Sequence, residues 1–277
     1  MSLRCLCKNI SGAHIKINNF WTNKYSTIKT AGVLVIGDEI LKGEVPDTNS
    51  TLIAQELHNF GLKLKKITVV ADDINDISEE VRYFSKKYDY VLTTGGIGPT
   101  HDDVTYEAVA LAFDVPLVLH SDLEKICSKF FKTVDPMSPG MKQAYVPEQS
   151  VLNYATISGD KLTFPNVSVH NVFMFPGIPE FLKKIITEAG PLLFRSDKKF
   201  FTKYLYCNLP EYKIAKELEI LVQEFPEVQF GCYPKICHSA YQVKVTIESC
   251  SNVSTTKAYL RLLQLLPKEY IVNESDI

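Results

Sequence analysis

The sequence predicts a doubly wound α/β domain, a three-layer sandwich, followed by a smaller α+β domain. Apolar runs of strand length alternate with amphipathic helical segments through the first two thirds of the chain, and glycines stand where several strands end. The first run, Ala31–Ile36, is apolar throughout, as in a strand that is buried on both faces of a parallel sheet. Strands that alternate with helices form a parallel sheet covered by helices on both faces.

The spacing of apolar residues and the positions of Gly and Asn predict where the elements of the first domain begin and end. Apolar residues three and four apart, such as Ile77, Val81 and Phe84, indicate helices, and Gly61 is expected to end one of them. Asn49 is expected to cap the first helix through its side chain. The predicted strands are Ala31–Ile36, Leu62–Ala71, Tyr88–Thr94 and Asn171–Phe175. The predicted helices are Ser50–Phe60, Ile74–Lys87, Val104–Phe113, Ser121–Lys132 and Glu180–Ala189, with loops at 38–47 and 135–141 and a polar hairpin before the last strand.

A second domain is predicted to begin near Lys198, with a boundary near Ser196 that divides the chain into residues 31–196 and 197–277. Its elements follow the order β-α-β-β-α-β, which is the ferredoxin-like pattern. The predicted strands are Phe200–Asn208, Val228–Tyr233, Ala240–Glu248 and Tyr270–Val272, and the predicted helices are Glu211–Glu224 and Thr255–Leu266.

Composition excludes several classes of protein. Of the 277 residues, 45% are hydrophobic and 22% are charged, which excludes a disordered or low-complexity chain. The sequence has no apolar run of the ~18 residues that span a bilayer, so we expect no membrane contact. A net charge of −2 gives no electrostatic basis for nucleic-acid binding. Seven scattered cysteines indicate reduced thiols and an intracellular protein.

Residues 1–30 differ from the rest of the chain and are predicted to be a leader outside the fold. They carry five basic side chains, no Asp or Glu, and many hydroxyl side chains. This composition is typical of a mitochondrial transit peptide and predicts the mitochondrial matrix. A leader without a targeting role, in a cytoplasmic protein, is the alternative. Residues 31–277 then carry 25 basic and 32 acidic side chains, so an anion site in this body needs a local cation or backbone amides.

The stretch TTGGIGPTHDDVTYEA, Thr93 to Ala108, has the composition of a phosphate site between a buried strand and a helix. Gly95, Gly96 and Gly98 allow backbone conformations that other residues resist, and they leave their amide N–H groups accessible. Such amides at a helix N-terminus favour an anion, because the helix dipole acts in the same direction. Thr100 adds a hydroxyl donor.

Two carboxylates in the same stretch, Asp102 and Asp103, predict a divalent metal ion, Mg²⁺ or Co²⁺. Like charges repel, so carboxylates beside a phosphate are best explained by a cation that both of them bind. The alternative is that Asp103 only caps the helix. Between Thr100 and these carboxylates, His101 can donate to a phosphate or relay a proton, but a histidine in a polar loop more often does neither.

The loops after two other strands are predicted to complete the site. Gly37 and Asp38 leave the first strand, Lys42 offers a positive charge for a pyrophosphate, and Asn49 opens the next helix as a contact to the ligand or as a cap. Gly177 lies in a turn of the same kind after the strand that ends at Phe175. Ligands of open α/β sheets bind at the carboxyl ends of the strands, where all these residues lie.

Three motifs, GDEILKGEVPDTN (37–49), GGIGPTHDDVTYEA (95–108) and FPGIPE (175–180), resemble those of the molybdopterin-binding domain family. That family includes MoaB, Mog and the N-terminal half of CinA, and the segments are most similar to the molybdopterin-binding-like domain of animal FAD synthases. The resemblance covers residues 31–272. It implies a three-layer α/β sandwich and, from CinA and FAD synthase domains, metal-dependent cleavage of ADP-ribose-type pyrophosphates or of FAD. It also implies phosphate binding by Gly95, Gly96, Gly98 and Thr100, and metal or nucleotide binding by Asp38, Asp102 and Asp103.

The sequence departs from the family at the segment PKICHSA (234–240), where a more acidic stretch is expected, and it carries no region that resembles the adenylyltransferase half of FAD synthase. Cys232, Cys237 and His238 in this region lack a second pair of zinc ligands, so a zinc site is not expected.

Three functions remain open at this stage. The first is hydrolysis of a nucleotide pyrophosphate, FAD to FMN and AMP or an ADP-ribose type, with Asp38, Asp102 and Asp103 as catalytic residues. The second is a non-catalytic module that binds a pterin or flavin nucleotide and works with a separate adenylyltransferase. The third is adenylylation of molybdopterin. In each case the partner is a small molecule, and relatives of this fold lead us to expect a homo-oligomer.

Overall fold

A six-stranded sheet forms the middle layer of the first domain in the computed structural model, which describes residues 28–235 and 240–273. Its strands are β1 (Thr30–Ile36), β2 (Lys63–Val70), β3 (Tyr90–Thr94), β6 (Val151–Ala155), β7 (Lys161–Val169) and β8 (Val172–Phe175). They are arranged in the order β2-β1-β3-β8-β7-β6. The strands β2, β1, β3 and β8 are parallel to one another, β7 pairs antiparallel with β8, and β6 pairs antiparallel with β7. Two short strands, β4 (Leu117–Leu119) and β5 (Tyr145–Pro147), pair separately.

Helices cover both faces of this sheet. They are α1 (Asp38–Leu41), α2 (Asn49–Asn59), α3 (Ile74–Lys87), α4 (Thr105–Ala112), α5 (Ser121–Phe131) and α6 (Pro179–Leu193). Alternate residues of β1 supply two cores: Leu34 and Ile36 pack with α3, α4 and α5, whereas Val33 and Val35 pack with α2 and α6. The sequence-based prediction of a three-layer α/β fold is therefore confirmed.

Most elements of the first domain agree with the sequence-based prediction, but β4 was not predicted and three further points differ. The segment 38–47, predicted as a loop, begins with the helical turn α1. The predicted loop 135–141 runs into a 3₁₀ helix, Pro139–Ala144. The prediction that Asn49 caps α2 is wrong, because the cap position is Thr48 and Asp47 accepts the hydrogen bond from the backbone of Ser50.

The second domain is a four-stranded antiparallel sheet with helices on one face. Its elements are β9 (Phe201–Cys207), α7 (Ala215–Glu224), β10 (Gln229–Pro234), β11 (Val243–Ser249), α8 (Asn252–Leu265) and β12 (Ile271–Val272), with 3₁₀ turns at Glu211–Lys213 and Lys268–Tyr270. The strand order β10-β11-β9-β12 is that of a ferredoxin-like βαββαβ unit. Its core joins alternate residues of β9 and β11 to α7 and α8.

The two domains meet where α2 ends. Gly61 has φ +76°, and a Cβ at this position would overlap the carbonyl oxygen of Lys198 in the segment that leads into β9. Ser196 Oγ donates a hydrogen bond to the Gly61 carbonyl at 3.1 Å. His58 Nε2 lies 2.8 Å from Glu248 Oε2, and its ring stacks on Phe200 at 4.7 Å. A residue without a side chain is therefore required at this junction.

Some sequence-based predictions concern residues that the structure does not describe. The predicted leader lies outside the described residues up to residue 27, and so do Cys237 and His238. Within the described part of the chain, no helix is long and apolar enough to cross a membrane.

Replacement of Gly61 tests the domain junction, with Gly43 as a matched control. Both residues have positive φ, but a Cβ at Gly43 meets no atom within 4 Å. Gly43→Ala should lower the free energy of unfolding by about 1–2 kcal/mol through backbone strain alone. Gly61→Ala should cost about 1–3 kcal/mol more, because Lys198 must also move. Urea denaturation of both variants measures the difference, and equal losses would contradict the described junction.

Candidate functional site

The carboxyl ends of β1, β3 and β8 lie at one edge of the sheet, and the connections that follow them run to opposite sides of it; this place is called the crevice here. The loop after β3 touches the end of β1 so closely that a Cβ on Gly95 would overlap the carbonyl oxygen of Ile36. A Cβ on Gly177, after β8, would lie 3.3 Å from Gly95 Cα. The structure therefore brings together the three loops that the sequence predicted to share a site. This position is the usual ligand site of an open α/β sheet.

The glycine loop presents backbone amides to this crevice. Gly95 and Gly96 have φ of +106° and +62°, which a residue with a side chain rarely adopts. Thr105 fixes the far end of the loop, because its backbone N–H donates to Gly96 O at 2.9 Å and its hydroxyl to Gly95 O at 2.9 Å. Within the described residues, the N–H groups of Gly96, Ile97 and Gly98 make no hydrogen bond. They are free to bind an anion.

The helix that follows this loop adds its own amides. The cap residue of α4 is Val104, whose side chain cannot accept a hydrogen bond. The backbone N–H groups of Tyr106 and Glu107 also lack partners among the described residues. The helix dipole favours negative charge at this end. The loop and the helix together form an amide cradle, defined here as the backbone N–H groups of Gly96, Ile97, Gly98, Tyr106 and Glu107.

Asn49 joins the three loops. Its Nδ2 donates to Thr94 Oγ1 at 3.0 Å and to the carbonyl of Gly177 at 2.7 Å, and Thr94 Oγ1 donates to Pro176 O at 3.0 Å. Its Oδ1 is buried and has no partner among the described residues. Asn49 is therefore a positioning residue, and its hydrogen bonds to the other two loops were not predicted from the sequence.

The two adjacent carboxylates of the glycine loop have different environments. Asp103 Oδ2 accepts hydrogen bonds from Thr100 N at 2.8 Å and from Thr100 Oγ1 at 2.5 Å, and a Cβ at Gly98 would crowd the same carboxylate. Asp103 and Thr100 are thus engaged with each other and hold the loop. Asp102 is exposed, and the neighbouring Thr100 side chain, whose hydroxyl proton goes to Asp103, lowers the pKa of the Asp102 carboxyl group, so Asp102 is ionised at neutral pH.

Asp38 lies on the acidic rim of the crevice together with Asp72, a residue that sequence reasoning missed. Asp72 Oδ2 accepts from the backbone N–H of Asp38 at 2.8 Å, and Lys42 Nζ lies 3.2 Å from Asp38 Oδ2. Burial raises the pKa of the Asp72 carboxyl, and the charges of Glu39, Asp38 and Asp102 raise it further. Lys42 is thus paired with a rim carboxylate, and the rim as a whole favours a cation.

A divalent metal ion fits this rim only together with ligand oxygens. Within residues 28–235 and 240–273, no three His, Cys, Asp or Glu side chains converge to bind a metal by themselves. Mg²⁺ commonly uses one or two carboxylates and takes its other ligands from phosphate and water. Asp102 and Asp38 fit that role, whereas Asp103 is already hydrogen-bonded within its own loop.

Two further residues, Lys142 and Gln143, donate hydrogen bonds to carbonyl groups of the glycine loop from the 3₁₀ helix that precedes β5. Lys142 Nζ donates to Thr100 O at 2.9 Å and lies 3.5 Å from Glu107, and Gln143 Nε2 donates to Ile97 O at 2.9 Å. No sequence motif signals these contacts. His101, by contrast, is almost fully exposed, and its Nδ1 lies 3.7 Å from the nearer oxygen of Asp102.

Substitution of Asn49 tests whether this amide holds the loops together. Asn49→Ala removes both hydrogen bonds in a buried setting and should lower the free energy of unfolding by about 1–3 kcal/mol. Asn59→Ala, at the exposed end of the same helix, is the matched control and should change it by less than about 0.5 kcal/mol. Chemical denaturation gives both values. Similar losses in the two variants would show that the Asn49 side chain does not join the loops.

Comparison with known proteins gives one family for each domain. Residues 32–195 match the family described as "Probable molybdopterin binding domain", and residues 199–275 match "FAD synthase, middle domain". A "Probable FAD synthase" of Caenorhabditis elegans is 35% identical over 92% of this chain and 53% of its own length. A CinA-like protein of Fusobacterium nucleatum is 34% identical over 89% of this chain and 60% of its own length.

Solved structures agree with this relationship. The crystal structure of the protein CinA from Thermoplasma acidophilum has a TM-score of 0.54 and 27% identity, and the match covers 60% of this chain and 98% of that one. The chain spans about half the length of the curated FAD synthases that it matches. The fold, the glycine loop and these similarities support one conclusion: the chain belongs to the molybdopterin-binding domain family of MoaB, Mog and CinA, and it continues into an FAD synthase middle domain.

Proposed function

We propose that the crevice binds the pyrophosphate of a flavin nucleotide and that the chain hydrolyses FAD to FMN and AMP with the help of a divalent metal ion. The observation that carries this proposal is the amide cradle, whose N–H groups lack partners, beside an acidic rim. The similarity to proteins named FAD synthase supports a flavin nucleotide as the ligand.

The amide cradle supplies directional donors for the anion. The N–H groups of Gly96, Ile97 and Gly98 suit phosphate oxygens, and they are fixed before the ligand arrives because Thr105 and Gln143 hold the loop. Donors that are already oriented stabilise negative charge that develops in a transition state. In the proposed step, water attacks one phosphorus atom, the P–O bond of the pyrophosphate bridge breaks, and the bridging oxygen leaves on the other phosphate.

The acidic rim supplies the second requirement of this reaction. Asp102 and Asp38 would hold the divalent ion, with Asp72 beside them. When bound, Mg²⁺ or Co²⁺ would neutralise the pyrophosphate charge and lower the pKa of a coordinated water. Asp103 acts as a positioning residue, since it fixes Thr100 and the loop.

A non-catalytic role is the second candidate. The observation in its favour is that Asp103 is engaged within its own loop and that no third carboxylate of the described residues completes a metal site. In that case the crevice would hold a pterin or flavin nucleotide for a separate adenylyltransferase. The family description of the first domain, which names molybdopterin, makes a pterin the alternative ligand.

Asp102→Asn separates the two candidates. With FAD and Mg²⁺ or Co²⁺, the unmodified chain should release FMN and AMP in equal amounts, which chromatography measures. Asp102→Asn should reduce the rate by about 100-fold or more, because it removes a carboxylate that acts with the metal. It should bind FAD about as well as before, because the cradle is unchanged.

Two further variants serve as controls. Asp122→Asn removes an exposed carboxylate in the first turn of α5, which pairs with Lys125 among the described residues, and should leave the rate unchanged. Asp103→Asn should weaken both binding and turnover, since Thr100 loses its partner. Saturable binding of FAD without any product would contradict the hydrolase and favour the binding module. Absence of both binding and product would contradict both candidates.

A further inference from the structure

Three consecutive carbonyl groups of the glycine loop accept hydrogen bonds from donors outside the loop. The hydroxyl of Thr105 donates to Gly95 O, and the backbone N–H of Thr105 donates to Gly96 O, each at 2.9 Å. The third carbonyl, that of Ile97, accepts a hydrogen bond from Gln143 Nε2 at 2.9 Å. The loop is therefore held in place by its carbonyl groups.

The hydrogen bond to each carbonyl also fixes the amide of the following residue. The C=O of one residue and the N–H of the next lie in the same peptide plane, and in a trans peptide they point in opposite directions. No cis peptide bond occurs in the described part of the chain. The three bound carbonyls thus set the directions of three N–H groups, those of Gly96, Ile97 and Gly98. These are the loop amides of the cradle, and they have no partner within the described residues.

The peptide group between Ile97 and Gly98 depends on Gln143 alone. Among the described residues, Gln143 makes the one hydrogen bond to this peptide group, because the Gly98 N–H has no partner. Glycine restricts the backbone less than any other residue, so a peptide group beside Gly98 turns easily when nothing holds it. The direction of the Gly98 amide is therefore set by a side chain that lies 46 residues after Ile97.

Gln143 holds this carbonyl from the side of the sheet that lies away from Asn49. Gln143 belongs to the 3₁₀ helix Pro139–Ala144, which packs in the core with α3, α4 and α5. Asn49 opens α2, which packs with α6 on the opposite face of the sheet. Since the carbonyl points to the 3₁₀ helix, the Gly98 N–H points towards the loops that Asn49 joins.

We propose that Gln143 is a positioning residue of the crevice, which directs the Gly98 N–H at a phosphate group of the bound nucleotide. This inference rests on the proposed function, because it takes a pyrophosphate as the ligand. A donor that is oriented before binding loses little freedom when the ligand arrives, and a hydrogen bond to a charged oxygen is strong. Gln143 acts through the backbone and does not itself touch the ligand.

Gln143 can be tested with less disturbance than Thr105. Thr105 is fully buried and also acts through its backbone N–H, which no substitution removes. Gln143 is half-buried, and Met has nearly the same length and flexibility without a donor. Gln143→Met therefore removes the hydrogen bond to Ile97 and keeps the bulk of the side chain. Gln149→Met is the matched control, because Gln149 is exposed in the turn after β5.

Amide NMR of the full chain, titrated with inorganic pyrophosphate in excess Mg²⁺, tests the proposal. In the unmodified chain the amide resonance of Gly98 should shift as pyrophosphate binds, together with those of Tyr106 and Glu107. In Gln143→Met the Gly98 resonance should no longer respond, whereas Tyr106 and Glu107 should still respond, because α4 is unchanged. The affinity for pyrophosphate should fall about tenfold, as expected for one hydrogen bond to a charged group. Gln149→Met should behave as the unmodified chain does.

The response of a single amide separates positioning from a general loss of structure. Gln143→Glu is a second variant of the same shape, whose ionised carboxylate cannot donate to Ile97, and it should show the same selective loss at Gly98. Equal losses at Gly98, Tyr106 and Glu107 in both variants would overturn the proposal, because a disturbed fold affects the whole cradle. An undiminished Gly98 response, with affinities within about twofold of the unmodified chain, would also overturn it.

Cleavage of FAD keeps this result apart from the proposed function. A chain that binds pyrophosphate but does not cleave FAD contradicts the hydrolase alone, and the Gly98 response still decides the role of Gln143. An unmodified chain whose cradle amides do not respond to pyrophosphate contradicts both proposals.

Discussion

The contact between the loop after β3 and the end of β1 is the constraint on which the site depends. Gly95 can approach the carbonyl of Ile36 because it has no side chain, and Gly177 approaches Gly95 from the other side. Once these backbones touch, Asn49 can bridge them with one amide group. Parallel strands alone would leave three separate loops at this edge of the sheet. Because Gly95 and Gly177 have no side chains, the three loops can come into contact there.

Charge within the crevice is divided between backbone and side chains. The loop and the start of α4 offer N–H groups, which favour an anion, whereas Asp38, Asp72 and Asp102 form a rim that repels one. An anion that carries its own cation satisfies both parts. This division would let an acidic body hold a pyrophosphate without a free lysine from the rim, where Lys42 is paired with Asp38.

Sequence patterns predicted the parts of the fold that depend on local spacing. The helix Ile74–Lys87 agrees at both ends because Asp73 caps it and apolar residues recur along one face. The glycine loop and the loops at 37–49 and 175–180 were found for the same reason, since each is a contiguous motif. Strand order was not predictable, because it depends on which strands pair across the whole domain.

The residues that sequence reasoning missed act through contacts between distant segments. Asp72 follows β2 and reaches the backbone of Asp38, 34 residues earlier, and Gln143 reaches Ile97, 46 residues earlier. Asn49 is a residue type that often caps helices, but in the folded protein its side chain is buried and its amide donates to the carbonyl of Gly177 across the crevice.

The central claim is that the amide cradle binds a pyrophosphate, and ³¹P NMR of FAD tests it most directly. In the presence of excess Mg²⁺, the two phosphorus resonances of FAD should shift or broaden when the full chain is added and before any FMN appears, and inorganic pyrophosphate should reverse the effect. Gly96→Ala should abolish it, because a Cβ at this position overlaps the hydroxyl of Thr105 and distorts the loop. Unchanged phosphorus resonances, with a signal from the flavin ring alone, would contradict the account.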